Sequence, residues 1–115
     1  MYFPVTCTMI CTDIWRSLIA LRLLQINSLE VLFYGTNIFQ ERNIHNLIGD
    51  FNQEIPMYMN SKKIFQTIEK INLKKGIKYF NYNLIKIYKV LIKIKIFEEN
   101  EISYLKAWLK DCKVL

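Results

Sequence analysis

Two charged side chains stand near the start of a mostly apolar stretch, residues 11–35. The carboxylate of Asp13 can accept a proton or hold a hydroxyl group, as a general base does. Arg16, three residues later, suits a diphosphate or a carboxylate, because its planar guanidinium donates several hydrogen bonds at once. Asp13 also suits the N-terminus of a buried helix, where a carboxylate caps free N–H groups. Both interpretations of Asp13 stay open on this pattern alone.

A second group of polar residues follows this stretch. His45, the single histidine of the chain, lies between Arg42 and Asn46 in a polar segment. Convergent polar groups are typical of site loops, although a lone histidine is more often a hydrogen-bonded structural residue. Arg42 suits a phosphate group, and Asp50 with Glu54 suits hydroxyl groups. These residues are therefore candidates for ligand binding.

The cysteines and Trp15 are better explained by burial than by chemistry. Cys7, Cys11 and Cys112 give an odd count, and only His45 is available to join them in a metal site. A zinc site usually needs four ligands with closer pairing, so we expect buried, inert thiols. Trp15 is expected in the core, with a sugar-stacking role as the alternative.

The composition indicates a folded domain that packs against further protein. The chain has 115 residues, of which 52% are hydrophobic, and its mean hydropathy of +0.11 is high for a free-standing domain of this size. No apolar run reaches the roughly 20 residues that span a bilayer. The first dozen residues lack the basic start of a signal peptide.

The charge is divided unevenly along the chain. Residues 1–60 hold three arginines and five acidic residues, whereas residues 61–115 hold thirteen lysines and five acidic residues. A basic half can mark a nucleic-acid or anionic-membrane surface. We favour a solvated lysine face, because these lysines alternate with isoleucine and lie beside asparagine. Nucleic acid is therefore not an expected partner.

The first half of the chain predicts a helix followed by a strand. Residues 3–10 indicate an extended segment, and a buried helix is predicted from Thr12 or Asp13 to about Gln25. Residues 29–35, LEVLFYG, are rich in β-formers and predict a buried strand. A helix joined by a short turn to a strand is half of an α/β unit.

The second half of the chain predicts helices. A turn is expected at residues 52–56, then a helix capped at Asn60 or Ser61 that ends at Gly76, with Ile64, Phe65, Ile68 and Ile71 or Leu73 facing inward. Residues 82–97 favour a helix, although their end alternates as a strand does. Residues 98–111 predict a helix with Asn100 as its cap. The predicted fold is thus an α/β fragment, predominantly helical, in which a helix-strand unit precedes a helical C-terminal half.

Five short segments, taken in order, resemble the STELLO family of Golgi glycosyltransferases. In that family an Asp-Ile-Trp-Arg helix start is followed by an Arg-Asn-x-His-Asn loop, a Gly-Asp acidic stretch and a closing Trp-Leu helix. Each motif alone is weak, and their common order carries the resemblance. The segments are FPVT (3–6), TDIWRS (12–17), RNIHN (42–46), GDFNQEIPMYM (49–59) and KAWLKD (106–111).

The resemblance implies that the chain is the C-terminal part of a nucleotide-sugar transferase domain. Residues 1–60 would carry the family motifs and residues 61–115 a basic helical part of one partial domain. A membrane anchor and the nucleotide-sugar-binding half would precede it in a full-length Golgi membrane protein. The chain has no Asp-x-Asp motif, which such enzymes use to hold a metal on the diphosphate. We therefore expect the chain alone to be inactive and to need no cofactor.

The resemblance also implies roles for the candidate residues. Asp13 would be the catalytic acid group, while Arg16 and Arg42 would bind the donor phosphates. Asp50 and Glu54 would meet the glycan acceptor. His45 would complete the shell of a divalent metal, Mn²⁺ or Mg²⁺, in the full-length enzyme that binds a nucleotide sugar.

A non-catalytic function is the alternative. Residues 62–113 would then form a basic helical interaction module that binds a partner protein or an acidic surface.

Overall fold

Four α-helices make up most of the computed structural model, which describes residues 1–41, 44 and 46–112. None of the helices in these ranges is long and apolar enough to cross a membrane. The helices are α1 (Met9–Ile26), α2 (Leu47–Glu69), α3 (Phe80–Lys93) and α4 (Glu101–Asp111), and a 3₁₀ turn at Ile77–Tyr79 leads into α3.

Helix α1 begins a full turn earlier than the sequence predicts. Thr8 occupies the N-cap position with extended backbone angles, but its hydroxyl donates to the carbonyl of Gln53 at 2.9 Å instead of capping the helix. Thr12 is buried inside the helix, where its hydroxyl donates to the Pro4 carbonyl at 3.1 Å. Asp13 therefore lies in the second turn, and its interpretation as an N-cap is wrong.

The predicted strand at residues 29–35 is not formed, so the α/β assignment is wrong. The described residues contain no strand, and residues 30–41 have no regular secondary structure. Leu32, Phe33 and Tyr34 are 73%, 89% and 84% exposed. A strand needs backbone hydrogen bonds to a second strand, and an apolar composition alone does not supply that partner.

Helix α2 replaces the turn predicted at residues 52–56. Its N-cap is Asn46, whose side-chain oxygen accepts from the Gly49 N–H at 3.1 Å, and the helix continues through Pro56. Asn60 and Ser61, predicted as caps, donate instead to the carbonyls four residues before them, at 2.9 and 2.7 Å. Side chains that can cap a helix start can equally bond back along a continuous helix.

The end of α2 also differs from the prediction. The helix stops at Glu69, and Gly76 lies ahead of the 3₁₀ turn with a φ of 115°, a left-handed value that favours glycine. Of the predicted inward residues, Ile64 and Ile68 are fully buried and Ile71 is nearly so. Phe65 faces outward instead and is 38% exposed.

Helix α3 is the central element, since it packs against each of the other three helices. Its apolar residues follow the helical period, and Leu84, Ile87, Tyr88 and Leu91 are fully buried. The helical interpretation of this segment is confirmed up to Lys93. The strand alternative for its end is wrong, because residues 94–97 form a turn in which Lys95 has a φ of 61°.

Helices α1 and α2 run in the same direction. Thr8 contacts Gln53, and seven residues later the indole N–H of Trp15 donates to the hydroxyl of Ser61 at 3.3 Å. Contacts that advance together along both helices require parallel axes. Trp15 is only 3% exposed, which confirms that it belongs to the core.

Aromatic rings join the first and last parts of the chain across α3. Trp15 meets Phe97 edge to face at 5.9 Å between ring centroids, and Phe97 stacks on Tyr88 at 5.2 Å. Tyr88 meets Tyr2 at 5.4 Å, and Tyr2 meets Trp108 of α4 at 5.8 Å. Offset and edge-to-face pairs stabilise a core beyond the burial of their area. The N-terminal segment is thus part of the core.

The carboxylate of Glu101 fixes that segment to α4. Its side chain is fully buried and accepts hydrogen bonds from the Tyr2 hydroxyl at 2.6 Å and from the Thr6 N–H at 2.8 Å, together with a forked bond from the Val5 N–H at 3.2 Å. Glu101 is the first residue of α4, where the helix dipole favours negative charge. The sequence indicated the first-turn position but not these partners.

The same burial affects the two tyrosines nearest to Glu101. Desolvation, followed by the hydrogen bond to Glu101, raises the pKa of Tyr2 far above its ordinary value. Desolvation also raises the pKa of Tyr88, with the Glu101 charge as the next cause. Both hydroxyls therefore stay protonated in the folded protein at neutral pH.

Glu101→Gln is expected to destabilise the fold by about 2 kcal/mol or more, because an amide loses one acceptor and leaves a buried N–H donor without a partner. Urea unfolding followed by circular dichroism measures this change. Glu99→Gln is the matched control, since Glu99 is exposed and the substitution removes the same charge. Equal stability of the two variants would show that the Glu101 contacts contribute nothing.

Candidate functional site

Asp13 and Arg16 form an ion pair on the surface of α1. One guanidinium nitrogen of Arg16 donates to a carboxylate oxygen of Asp13 at 3.0 Å. The Arg16 side chain is 27% exposed and the Asp13 side chain is 68% exposed. The Asp13 carbonyl also accepts the Ser17 hydroxyl at 2.7 Å, a bond within the helix. Because Asp13 does not cap the helix, its carboxylate is available to a molecule at the surface.

Phe3 supports the arginine of this pair. The centre of the Arg16 guanidinium lies 3.8 Å from the centroid of the Phe3 ring, a stacked cation–π contact. Phe3 itself stands between Tyr2 and Val5, which Glu101 holds in place. The buried carboxylate on α4 therefore positions the platform on which the surface arginine rests.

An open groove of about 820 Å³ runs along the same extended segment. Its walls carry Thr6, Cys7 and Thr8 from the segment and Tyr104 from α4. Burial raises the pKa of the Cys7 thiol, which also lies 3.4 Å from the Thr12 hydroxyl. The thiol is thus neutral at neutral pH. Val5, Glu98 and Asn100 complete the lining, so the groove combines apolar surface with groups that can bond to hydroxyls of a ligand.

The two acidic candidates of α2 lie at some distance from Asp13. Along the parallel helices α1 and α2, Asp13 lies at the height of about residue 58. Measured along the axis of α2 toward its N-terminus, Glu54 is ~6 Å and Asp50 ~12 Å from that height. Asp50 stands in the first turn of α2, where the helix dipole favours a carboxylate. Glu54 accepts the Tyr58 hydroxyl at 3.0 Å, and this bond raises the pKa of Tyr58. The two groups thus lie toward the start of α2, before the level of Asp13.

Arg42 and His45 lie outside the described residues, so their predicted roles stay predictions. Across residues 1–41, 44 and 46–112, no group of three or more histidine, cysteine or acidic side chains comes close enough to hold a metal ion. The described side chains therefore do not fit a metal by themselves.

Comparison with known proteins decides the family. The family model described as STELLO glycosyltransferases matches residues 10–115, nearly the whole chain. The chain belongs to the STELLO family of glycosyltransferases. Neither the curated proteins nor the solved structures gave a match. The resemblance to this family is thereby confirmed: four of its five segments lie within the matched residues, which also include the Asp13–Arg16 pair of this STELLO chain.

Sequence reasoning missed two residues that build the site. Phe3 lies six residues before α1, and nothing in its neighbourhood signals a contact with Arg16. Glu101 resembles an ordinary first-turn acid, since its partners lie 95 to 99 residues away in the sequence. The Asp13–Arg16 pair could be predicted from the sequence, because its two residues are three apart on one helix.

Asp13→Asn is expected to change the free energy of unfolding by less than about 1 kcal/mol, because an exposed ion pair contributes little and Asp13 is not a cap. Urea unfolding of both proteins checks this value. Thr12→Val is the contrasting variant, since it removes a buried hydroxyl with two carbonyl acceptors and should cost more. A loss above 2 kcal/mol for Asp13→Asn would assign the acid a structural role.

Proposed function

We propose that Asp13 is the acid–base residue of a glycosyltransferase that uses a nucleotide sugar, with Arg16 as a phosphate-binding partner. One observation carries the proposal: an exposed carboxylate in the second turn of α1 has no capping role and, among the described residues, forms an ion pair with Arg16 alone. Membership of a glycosyltransferase family supports it. The nucleotide-sugar donor and the role of this chain within a full-length enzyme are proposed with it.

In the proposed reaction an acceptor hydroxyl attacks the anomeric carbon of the donor sugar. The new C–O bond forms as the bond to the diphosphate breaks, and the hydroxyl proton passes to a carboxylate oxygen of Asp13. The nucleoside diphosphate leaves with the bonding electrons. Arg16 stabilises the negative charge on this leaving group, because a guanidinium has five N–H donors and Asp13 engages one nitrogen.

Preorganisation of the arginine is the contribution of the surrounding fold. Phe3 holds one face of the guanidinium, so Arg16 need not be ordered again when a phosphate binds. The groove along residues 5–8 would receive the sugar or acceptor. Both features depend on the Glu101 contacts that fix the N-terminal segment.

The other candidate residues would bind ligands in the proposed full-length enzyme. Arg42 would bind donor phosphate, and Asp50 with Glu54 would bind hydroxyls of the glycan acceptor. A divalent cation, Mn²⁺ or Mg²⁺, is proposed for that enzyme, with His45 as the ligand contributed by this chain. A Golgi membrane location is part of the same proposal.

Asp13→Asn is expected to lower turnover by roughly 10²-fold or more, the scale of a lost general base, while leaving the thermal midpoint within a few degrees. The test uses a STELLO polypeptide that contains this segment and transfers sugar, with nucleotide release as the measured signal. Asparagine keeps the size of the side chain and cannot accept the proton.

Glu69→Gln is the matched control, because Glu69 is an exposed acid at the end of α2 and its side chain has no proposed role. It should retain full turnover. An Asp13→Asn enzyme that is as active as this control would remove Asp13 from the catalytic site.

A further inference from the structure

A stretch of α3 and the preceding loop is unusually basic. Residues 70–97 contain eight lysines and no acidic residue, so this part of the surface has no internal charge balance. An uncompensated basic surface attracts anionic partners. The lysines are Lys70, Lys74, Lys75, Lys78, Lys86, Lys89, Lys93 and Lys95.

The loop before α3 has a fixed backbone. Asn83, fully buried, accepts the Lys74 N–H at 2.9 Å and donates to the Lys74 carbonyl at 2.8 Å. Asn27 accepts the Gly76 N–H at 2.8 Å, and Gly76 has the left-handed φ that lets the chain turn there. The lysines of this loop are therefore presented from a preformed backbone rather than from an irregular tail.

Three ammonium groups surround the loop. Lys74 lies 5.1 Å from the Tyr79 ring centroid, Lys78 lies 5.2 Å from the same ring, and Lys75 donates to the Ser28 hydroxyl at 3.2 Å. In the described part of the chain, none of the three has a carboxylate within ion-pair distance. Their positive charge is thus available to an external anion.

An apolar cavity of about 290 Å³ opens beside these charges. Ile77 stands at its rim, between the lysines of the loop, and is 78% exposed. Leu23, Leu29 and Phe80 also line the cavity, and Asn27 joins its wall to the loop backbone. An exposed aliphatic side chain between cations fits the boundary between lipid headgroups and acyl chains.

We propose that this surface, formed by Lys74, Lys75, Ile77 and Lys78 with the adjoining cavity, docks on a bilayer containing anionic phospholipid. The ammonium groups bind lipid phosphate and carboxylate groups, and Ile77 enters the acyl boundary. A nucleic acid would use the charge but leave Ile77 and the cavity uncovered. Glu30, beside Leu29, and Glu69, five residues before Lys74, are the acids nearest in the sequence to this surface, and three lysines outnumber them.

Vesicle flotation tests the proposal with the purified chain. Vesicles of phosphatidylcholine and phosphatidylserine in equal amounts should bind it, and phosphatidylcholine alone should not. Lys74→Ala, Lys75→Ala and Lys78→Ala together should weaken binding roughly 10²-fold, at about fivefold for each lysine. Ile77→Ser should weaken it roughly tenfold without a change in charge.

The control removes three lysines elsewhere, Lys62→Ala, Lys106→Ala and Lys110→Ala, all of them exposed. Its binding should stay within a few-fold of the parent chain. The loop substitutions spare the fold, because Asn83 bonds to the backbone of Lys74, and matched thermal midpoints check this.

Several results would overturn the proposal. They are absence of flotation, equal losses in the two triple variants, an unaffected Ile77→Ser chain, or duplex DNA competing with the vesicles through the same three lysines at physiological salt.

Discussion

The buried carboxylate of Glu101 joins the two ends of this chain. Glu101 accepts hydrogen bonds from Tyr2, Val5 and Thr6, and these bonds are the polar contacts that join the N-terminal segment to α4. A carboxylate away from water is costly unless its oxygens are fully bonded, and both oxygens here accept at least two donors. In the described chain α4 packs on α3 alone among the helices, so these bonds give it a second attachment, to the N-terminal segment.

The candidate site depends on the same carboxylate indirectly, through the N-terminal segment. Phe3 lies between residues that Glu101 binds, and its ring supports the Arg16 guanidinium that pairs with Asp13. The groove along residues 5–8 is bounded by the same segment and by α4. A nonlocal contact in the core thus sets the geometry of charged groups at the surface, which is how a rigid scaffold orders a site.

Sequence periodicity predicted the helices whose apolar rows face the core, but not the elements that depend on distant partners. The buried row of α3 follows directly from its spacing, and so does most of α4. The strand expected at residues 29–35 failed because β-formers need a neighbouring strand, which the described chain does not offer. Pro56 and its polar neighbours suggested a turn, yet α2 continues through them. At the site, Asp13 and Arg16 were identified from local spacing, whereas Phe3 and Glu101 depend on tertiary contacts.

Amide hydrogen exchange at Val5 and Thr6 tests the central role of Glu101 most directly, because both N–H groups donate to this carboxylate outside any helix or sheet. We predict slow exchange, comparable with that of the core amides of α3 at residues 84–91. Residues 31–39, which are exposed and lack regular structure, provide the fast reference in the same experiment. Exchange at Val5 and Thr6 as fast as in this reference would contradict the role of Glu101 in fixing the N-terminal segment.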